Sequence, residues 1–187
     1  GSMKMRGAWA DRPEGFKTIN VTSAQPKAAV FRRDFSPMSA ASALGGYQCF
    51  ENFWQGGKVY EGIPLEKSQA WWKSQTKGKR RYPAGKGRLV LCSNYDGTKR
   101  DYITSRKEVY VPLYDATMRA TASFKNLLQR VQQGENMVVM DFDGPRTADG
   151  GVACEEVTLD LLRDKLADES FPFGHGYVVA AGLLGFT

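Results

Sequence analysis

The chain has 187 residues and a formal net charge of +6, with 42% hydrophobic and 25% charged residues. That balance excludes a disordered chain, and the length is enough to bury a core without disulfide or metal staples. The most apolar stretch, Tyr177 to Phe186, has about half the length of a membrane-spanning helix, and no charged start leads into an apolar run, so neither a membrane span nor a secretory leader is expected.

Cysteines 49, 92 and 154 are odd in number and far apart, and there is one histidine. Such usage predicts no disulfide framework and no structural metal site, and it points to a reducing, cytoplasmic compartment. Gly1 and Ser2 before Met3 read as a tag-cleavage scar. Residues 3 to 187 show no linker and read as one domain.

In chain order, residues 3 to 16 read as an irregular arm, and Lys17 to Ser23 as a β-branched strand. Residues 24 to 46 read as loop. Cys49 to Tyr60 predicts a helix weakened at Gly56 and Gly57, which cost roughly 1 kcal/mol each against alanine. Leu65 to Ser74 is a second helical segment, and Leu89 to Ser93 a short strand. Ser105 to Met118 predicts a helix with a capping box of Ser105 and Glu108, kinked or restarted at Pro112. Ser123 to Gln133 predicts a helix closed by Gly134. Met137 to Phe142 reads as a buried strand, Val157 to Leu166 as an amphipathic helix, and Tyr177 to Leu184 as a central helix or strand. The expected class is α+β, mainly helical with a few short strands.

Five constellations carry chemistry. On one helix, Glu51, Gln55 and Lys58 would share a face at i, i+4 and i+7, with Trp54 among the interleaved aromatics. An ordinary surface helix fits the same spacing. Asp141 and Asp143 leave the end of an apolar strand ahead of Gly-Pro and Arg146, where a rigid scaffold can hold carboxylates that a loop exposes. Residues 73 to 88 hold seven Lys/Arg and no acid, leaving the rest of the chain near neutral. Lys79, Arg80, Arg81, Lys86 and Arg88, with Trp71, Trp72 and Tyr82 nearby, suit phosphate contact and stacking on DNA or RNA, and the glycines at 78, 85 and 87 suggest a mobile loop. Asp101, Tyr102 and Arg106 stand at a helix mouth that favours anions. His175, between two glycines, is a pocket-lining candidate.

The string E-x-x-x-Q-x-x-K on an aromatic helix resembles the signature of the NADAR-type (YbiA-like) N-glycosidases. Phe35-Ser36-Pro37-Met38 stands where that family has F-S-x-F, and Asp101-Tyr102 leading to Met118 stands where it has a D-W motif opening a helix. Tyr102 replaces the tryptophan, and DFDGPR replaces D-x-x-W-G. The resemblance implies hydrolysis of an N-glycosidic bond on an ADP-ribosylated base or a ribosylamino-pyrimidine phosphate. It also implies Glu51 as one catalytic carboxylate, with Asp141 or Asp143 its partner.

An oxocarbenium-like transition state needs such carboxylates and no metal or redox cofactor. Arg32, Arg33 and Lys58 would hold phosphates, while Trp54 and Tyr102 would stack the base, with Phe35, Gln55, Arg106, Arg146 and His175 completing the substrate-binding set. The alternatives are a non-catalytic nucleic-acid binder using residues 73 to 88, a nucleotide-sugar glycosyltransferase, and a structural protein without a polar pocket.

Overall fold

Met3–Arg6, expected as part of an irregular arm, instead forms strand β1 inside the main sheet. The computed structural model describes residues 1–8, 10 and 12–187. Met3 and Met5 are fully buried, and M-K-M-R satisfies its backbone through neighbours on both sides. Gly1 and Ser2 continue this pairing. The Gly1 amine donates to Val131 O, and Met137 N–H donates to Ser2 O.

The remaining elements follow in order. Strand β2 is Lys17–Asn20, and helices α1 and α2 are Val30–Phe35 and Phe50–Gly56. Strand β3 (Lys58–Tyr60), helix α3 (Leu65–Ser74), and strands β4 (Val90–Asn94) and β5 (Lys99–Arg100) come next. Helix α4 (Tyr102–Ser105) runs through a π-helical turn, Arg106–Tyr110, into α5 (Val111–Arg119). Then come α6 (Ala122–Gln132), β6 (Met137–Met140), β7 (Cys154–Glu156), α7 (Leu159–Ala167) and α8 (His175–Leu184). The class is α+β and mainly helical, as expected.

The main sheet has the order β2-β6-β1-β7. β6 pairs in parallel with both β1 and β2, so the carboxyl ends of all three strands lie at one edge. β7 closes the far side antiparallel to β1. Helix α8 packs on this sheet and is buried along nearly its whole length, which explains its uniformly apolar sequence. A smaller sheet, β3-β4-β5, stands apart.

Two local expectations are corrected. The helix after Cys49 stops at Gly56, and Lys58 opens β3 instead. A Cβ on Gly57 would lie 2.2 Å from the Tyr95 ring, so only glycine permits this turn. The helix expected from Ser105 begins at Tyr102, and its cap is Asp101, whose carboxylate accepts from Thr104 N–H at 2.7 Å. Pro112 stands in the first turn of α5, where the α-helix restarts after the π-helical turn. Proline lacks the N–H and crowds the carbonyl four residues back, and the π-helical turn just before it widens the ladder there, with Val111 N–H reaching Arg106 O.

Tyr47, Tyr60, Trp72 and Tyr82 form a second apolar cluster, with Trp71 against it. The aromatics expected beside the basic segment for base stacking therefore pack on one another. That segment is pinned rather than free. Buried Asn52 donates to Lys77 O at 3.0 Å and accepts from Lys79 N–H at 2.8 Å.

Candidate functional site

Residues after the carboxyl ends of β2 and β6 meet α2, α4 and the amino end of α8 around a cavity of about 400 Å³. That volume suits a small ligand. Strand ends hold side chains on a rigid frame while loops expose them.

One wall comes from α2 and β3. Glu51, Trp54, Gln55 and Lys58 all line the cavity. Gln55 donates its amide to the Glu51 carboxylate at 2.9 Å, which orients the acid. Lys58 arrives from a strand, not from the helical face expected of it. Burial pulls its amine below the ordinary value, while the Glu51 charge acts in the opposite sense. Trp54 is stacked on Tyr95 at 5.5 Å and meets Tyr110 edge-on, so its ring is already sandwiched on one side. Tyr110 also lines the cavity, and burial, followed by the Glu51 charge, raises its phenol well above the ordinary value.

The opposite wall is acidic. β6 ends at Met140, and the chain turns at once: Gly144 N–H donates to Asp141 O at 3.2 Å. Asp141 and Asp143, two positions apart and so on one side of the chain even where it is extended, both line the cavity. Asp141 is 2% exposed, and its Oδ2 accepts from Gly176 N–H at 2.9 Å, at the amino end of α8. Helix amides and dipole favour a carboxylate there. Asp143 keeps surface open to the cavity, yet burial raises its pKa. The Asp141 charge adds to that rise, and His175 and Arg146 oppose it.

His175 Nε2 lies 2.7 Å from Val21 O. A carbonyl only accepts, so Nε2 carries the proton and donates. Nδ1 then faces Asp141 Oδ2 at 3.8 Å. The flanking glycines are a signal the sequence carried without its reason. A Cβ on Gly174 would lie 2.5 Å from Asp141 Oδ2, and one on Gly176 would lie 2.8 Å from the same atom. G-H-G lets α8 settle onto the acid.

Tyr102 and Arg106 also border the cavity. Tyr102 is 42% exposed, with the Arg106 guanidinium 4.6 Å from its ring centre. Arg106 itself is 1% exposed and gives its N–H groups to four carbonyls, of Lys165, Leu166, Asp168 and Phe171. It is committed to holding the loop that carries Pro172 and Phe173 into the wall.

Other expected residues lie elsewhere. Phe35 is fully buried, and its carbonyl accepts from Tyr114 Oη at 2.6 Å. Arg33 is paired with Asp34 at 3.0 Å, and Arg32 donates to Ser23 O, so neither borders the cavity. Of the basic segment only Arg80 reaches the wall, with a 3.3 Å bond to Ser23 Oγ. Lys79, Arg81 and Lys86 are exposed outside it, and Arg88 donates to Glu61 O. Arg146 borders a neighbouring cavity. Ser23, Ser36, Tyr110 and Phe173 border the site without having been singled out for it. Tyr110 is part of the core as well.

Among the described residues, no three His, Cys, Asp or Glu side chains group as a metal-ligand set, and no helix is long and apolar enough to cross a membrane. No family model matches this chain, and neither a curated protein nor a solved structure matches it.

Proposed function

We propose that the protein hydrolyses an N-glycosidic bond of a nucleotide-like substrate, such as an ADP-ribosylated base or a ribosylamino-pyrimidine phosphate. The observation that carries the reading is the convergence of Glu51 and the Asp141–Asp143 pair on one cavity with Lys58 and aromatic walls. The resemblance to NADAR-type N-glycosidases points the same way, through Glu51, Gln55 and Lys58.

Cleavage at the anomeric carbon needs a carboxylate to steady the oxocarbenium-like charge and a proton for the departing nitrogen. Glu51, oriented by Gln55, serves as the base. It takes a proton from water as the new C–O bond forms and the C–N bond breaks. Asp143, pushed toward its protonated form by burial and by Asp141, supplies the proton that the base leaves with. Asp141, fixed by Gly176 N–H, keeps a negative charge beside the sugar. Tyr102, with open surface, is a stacking platform.

The exposed basic residues around Arg80 favour a second reading, in which the protein binds nucleic acid without cleaving it. The deciding experiment incubates the protein with ADP-ribosylated nucleotides, ADP-ribosylated DNA and a ribosylamino-pyrimidine phosphate, and follows free base and free sugar by chromatography. Release of both supports hydrolysis. Sugar moved to an acceptor means a transferase. No release, with salt-sensitive DNA binding, leaves the binding protein.

A further inference from the structure

A second cavity of about 270 Å³ adjoins the first and shares Asp143 and Pro172 with it as a common wall. Its lining includes Arg146, Lys165, Asp168, Phe171 and Tyr177. Arg146 donates to Phe142 O at 3.1 Å, which places the guanidinium while leaving other N–H groups free to bind. Among the described residues, neither Arg146 nor Lys165 is in a salt bridge.

Two acids also face this space. The Asp168 carboxylate is occupied by Ser170, accepting from both its N–H and its hydroxyl. Asp143 stands on the wall shared with the first cavity. Arg146 and Lys165 supply the cationic groups of the lining, and among the described residues neither carboxylate is within salt-bridge distance of them. Phe171, an exposed aromatic, stands beside it. Arg106 ties down the end of α7 and the loop after it through four carbonyls, so Lys165 and the Phe171 ring sit on a fixed frame.

We propose that this second cavity is an anion subsite that takes the phosphate of a ribosyl substrate whose N-glycosidic bond lies in the first cavity. The proposal rests on the hydrolytic reading above. It moves phosphate recognition from Arg32 and Arg33, which are engaged elsewhere, to Arg146 and Lys165 on the other side of the site. Arginine's fork matches phosphate oxygens in pairs, and lysine adds a point charge. The two cavities adjoin at Asp143 and Pro172, so the proposed substrate would reach across that wall.

The test titrates the whole protein with ribose, ribose 5-phosphate and ADP-ribose, followed calorimetrically. Both phosphorylated probes should bind at least on the order of tenfold tighter than ribose. The ratio between them reports whether a monophosphate or a pyrophosphate is preferred. Lys165→Met and Arg146→Met should each weaken the phosphorylated probes by about tenfold and leave ribose unchanged. The Lys165 main chain, not its amine, meets Arg106, so Lys165→Met keeps the fold, and a thermal melt verifies this.

Equal binding of ribose and the phosphorylated probes, no binding of any of them, or variants that bind like the parent would overturn the subsite. The two readings fail separately. Phosphate-dependent binding that falls in Lys165→Met without any N-glycoside cleavage keeps the subsite and loses the hydrolase. Cleavage of the phosphorylated substrate at unchanged KM in both variants keeps the hydrolase and loses the subsite.

Discussion

Gly176 gives its main-chain N–H to Oδ2 of Asp141 at 2.9 Å, across 35 positions of sequence. This one bond ties the amino end of α8 to the first residue after β6. A β-carbon on Gly176 would also press on Asp141 Cβ at 2.9 Å and on Met5 Cε at 3.1 Å. In an open helix, alanine would be favoured over glycine by roughly 0.5–1 kcal/mol. Here the clash decides the sign. Gly176→Ala should destabilise by about 1–3 kcal/mol. A thermal melt checks this, and a raised Tm would mean that Asp141 is free to move.

Glu51→Gln keeps the shape of the wall and removes its charge. Cleavage of the N-glycosidic substrate should fall by about 10²–10⁴. Binding measured calorimetrically should stay within a few-fold. Unchanged turnover would remove Glu51 from the mechanism.

Asp143 sets a pH signature. Its folded pKa lies above the ordinary value, through burial and then the Asp141 charge. Between the unfolded and folded pKa values the native state holds the extra proton, so stability falls as pH rises through that window. Above it the cost is fully present. Asp143→Asn should therefore be more stable than the parent at pH 7, by at most about 1 kcal/mol for a side chain this open to solvent. The gain should vanish near pH 3. Denaturant midpoints at the two pH values measure it, while cleavage in the same variant should be lost.

Arg106→Met strands four carbonyls that the guanidinium now holds. The loss should be about 3 kcal/mol or more, because buried acceptors without partners bear their full desolvation cost. Amide exchange should quicken across residues 165–171 before it does in the main sheet. Uniform exchange rates would show that the loop is held by something else.

Much of this architecture could be read from local pattern. The amphipathic repeat of α6, its stop at Gly134, and the apolar run of α8 are properties of short windows. β1 escaped because Met-Lys-Met-Arg has neither β-branched residues nor turn signals, and its strand character comes from β6, more than 130 positions later. Lys58 was placed beside Glu51 by helical spacing, yet it gets there on a strand, after a turn forced by Tyr95. The spacing named the neighbours and misnamed the geometry. Arg106 and Phe35 show the reverse error. Their residue types suggested ligand contact, but their partners are backbone carbonyls and core, which no local window contains. Asp141 and Asp143 sit two positions apart, a spacing that keeps both on one side, and the strand end that presents them was legible in the sequence.

β1 also sets an order of events. Met3 to Arg6 are made well before their parallel partner, Met137 to Met140, so this strand waits unpaired while more than 130 further residues are added. Contacts so distant in sequence slow folding, because a large loop must close before any of them forms. The acid at residue 141 therefore takes its place only when these two distant segments have met, since its N–H is held by Arg6 O. A bulky insertion beside Met3 would interfere with that late closure before it touched any substrate.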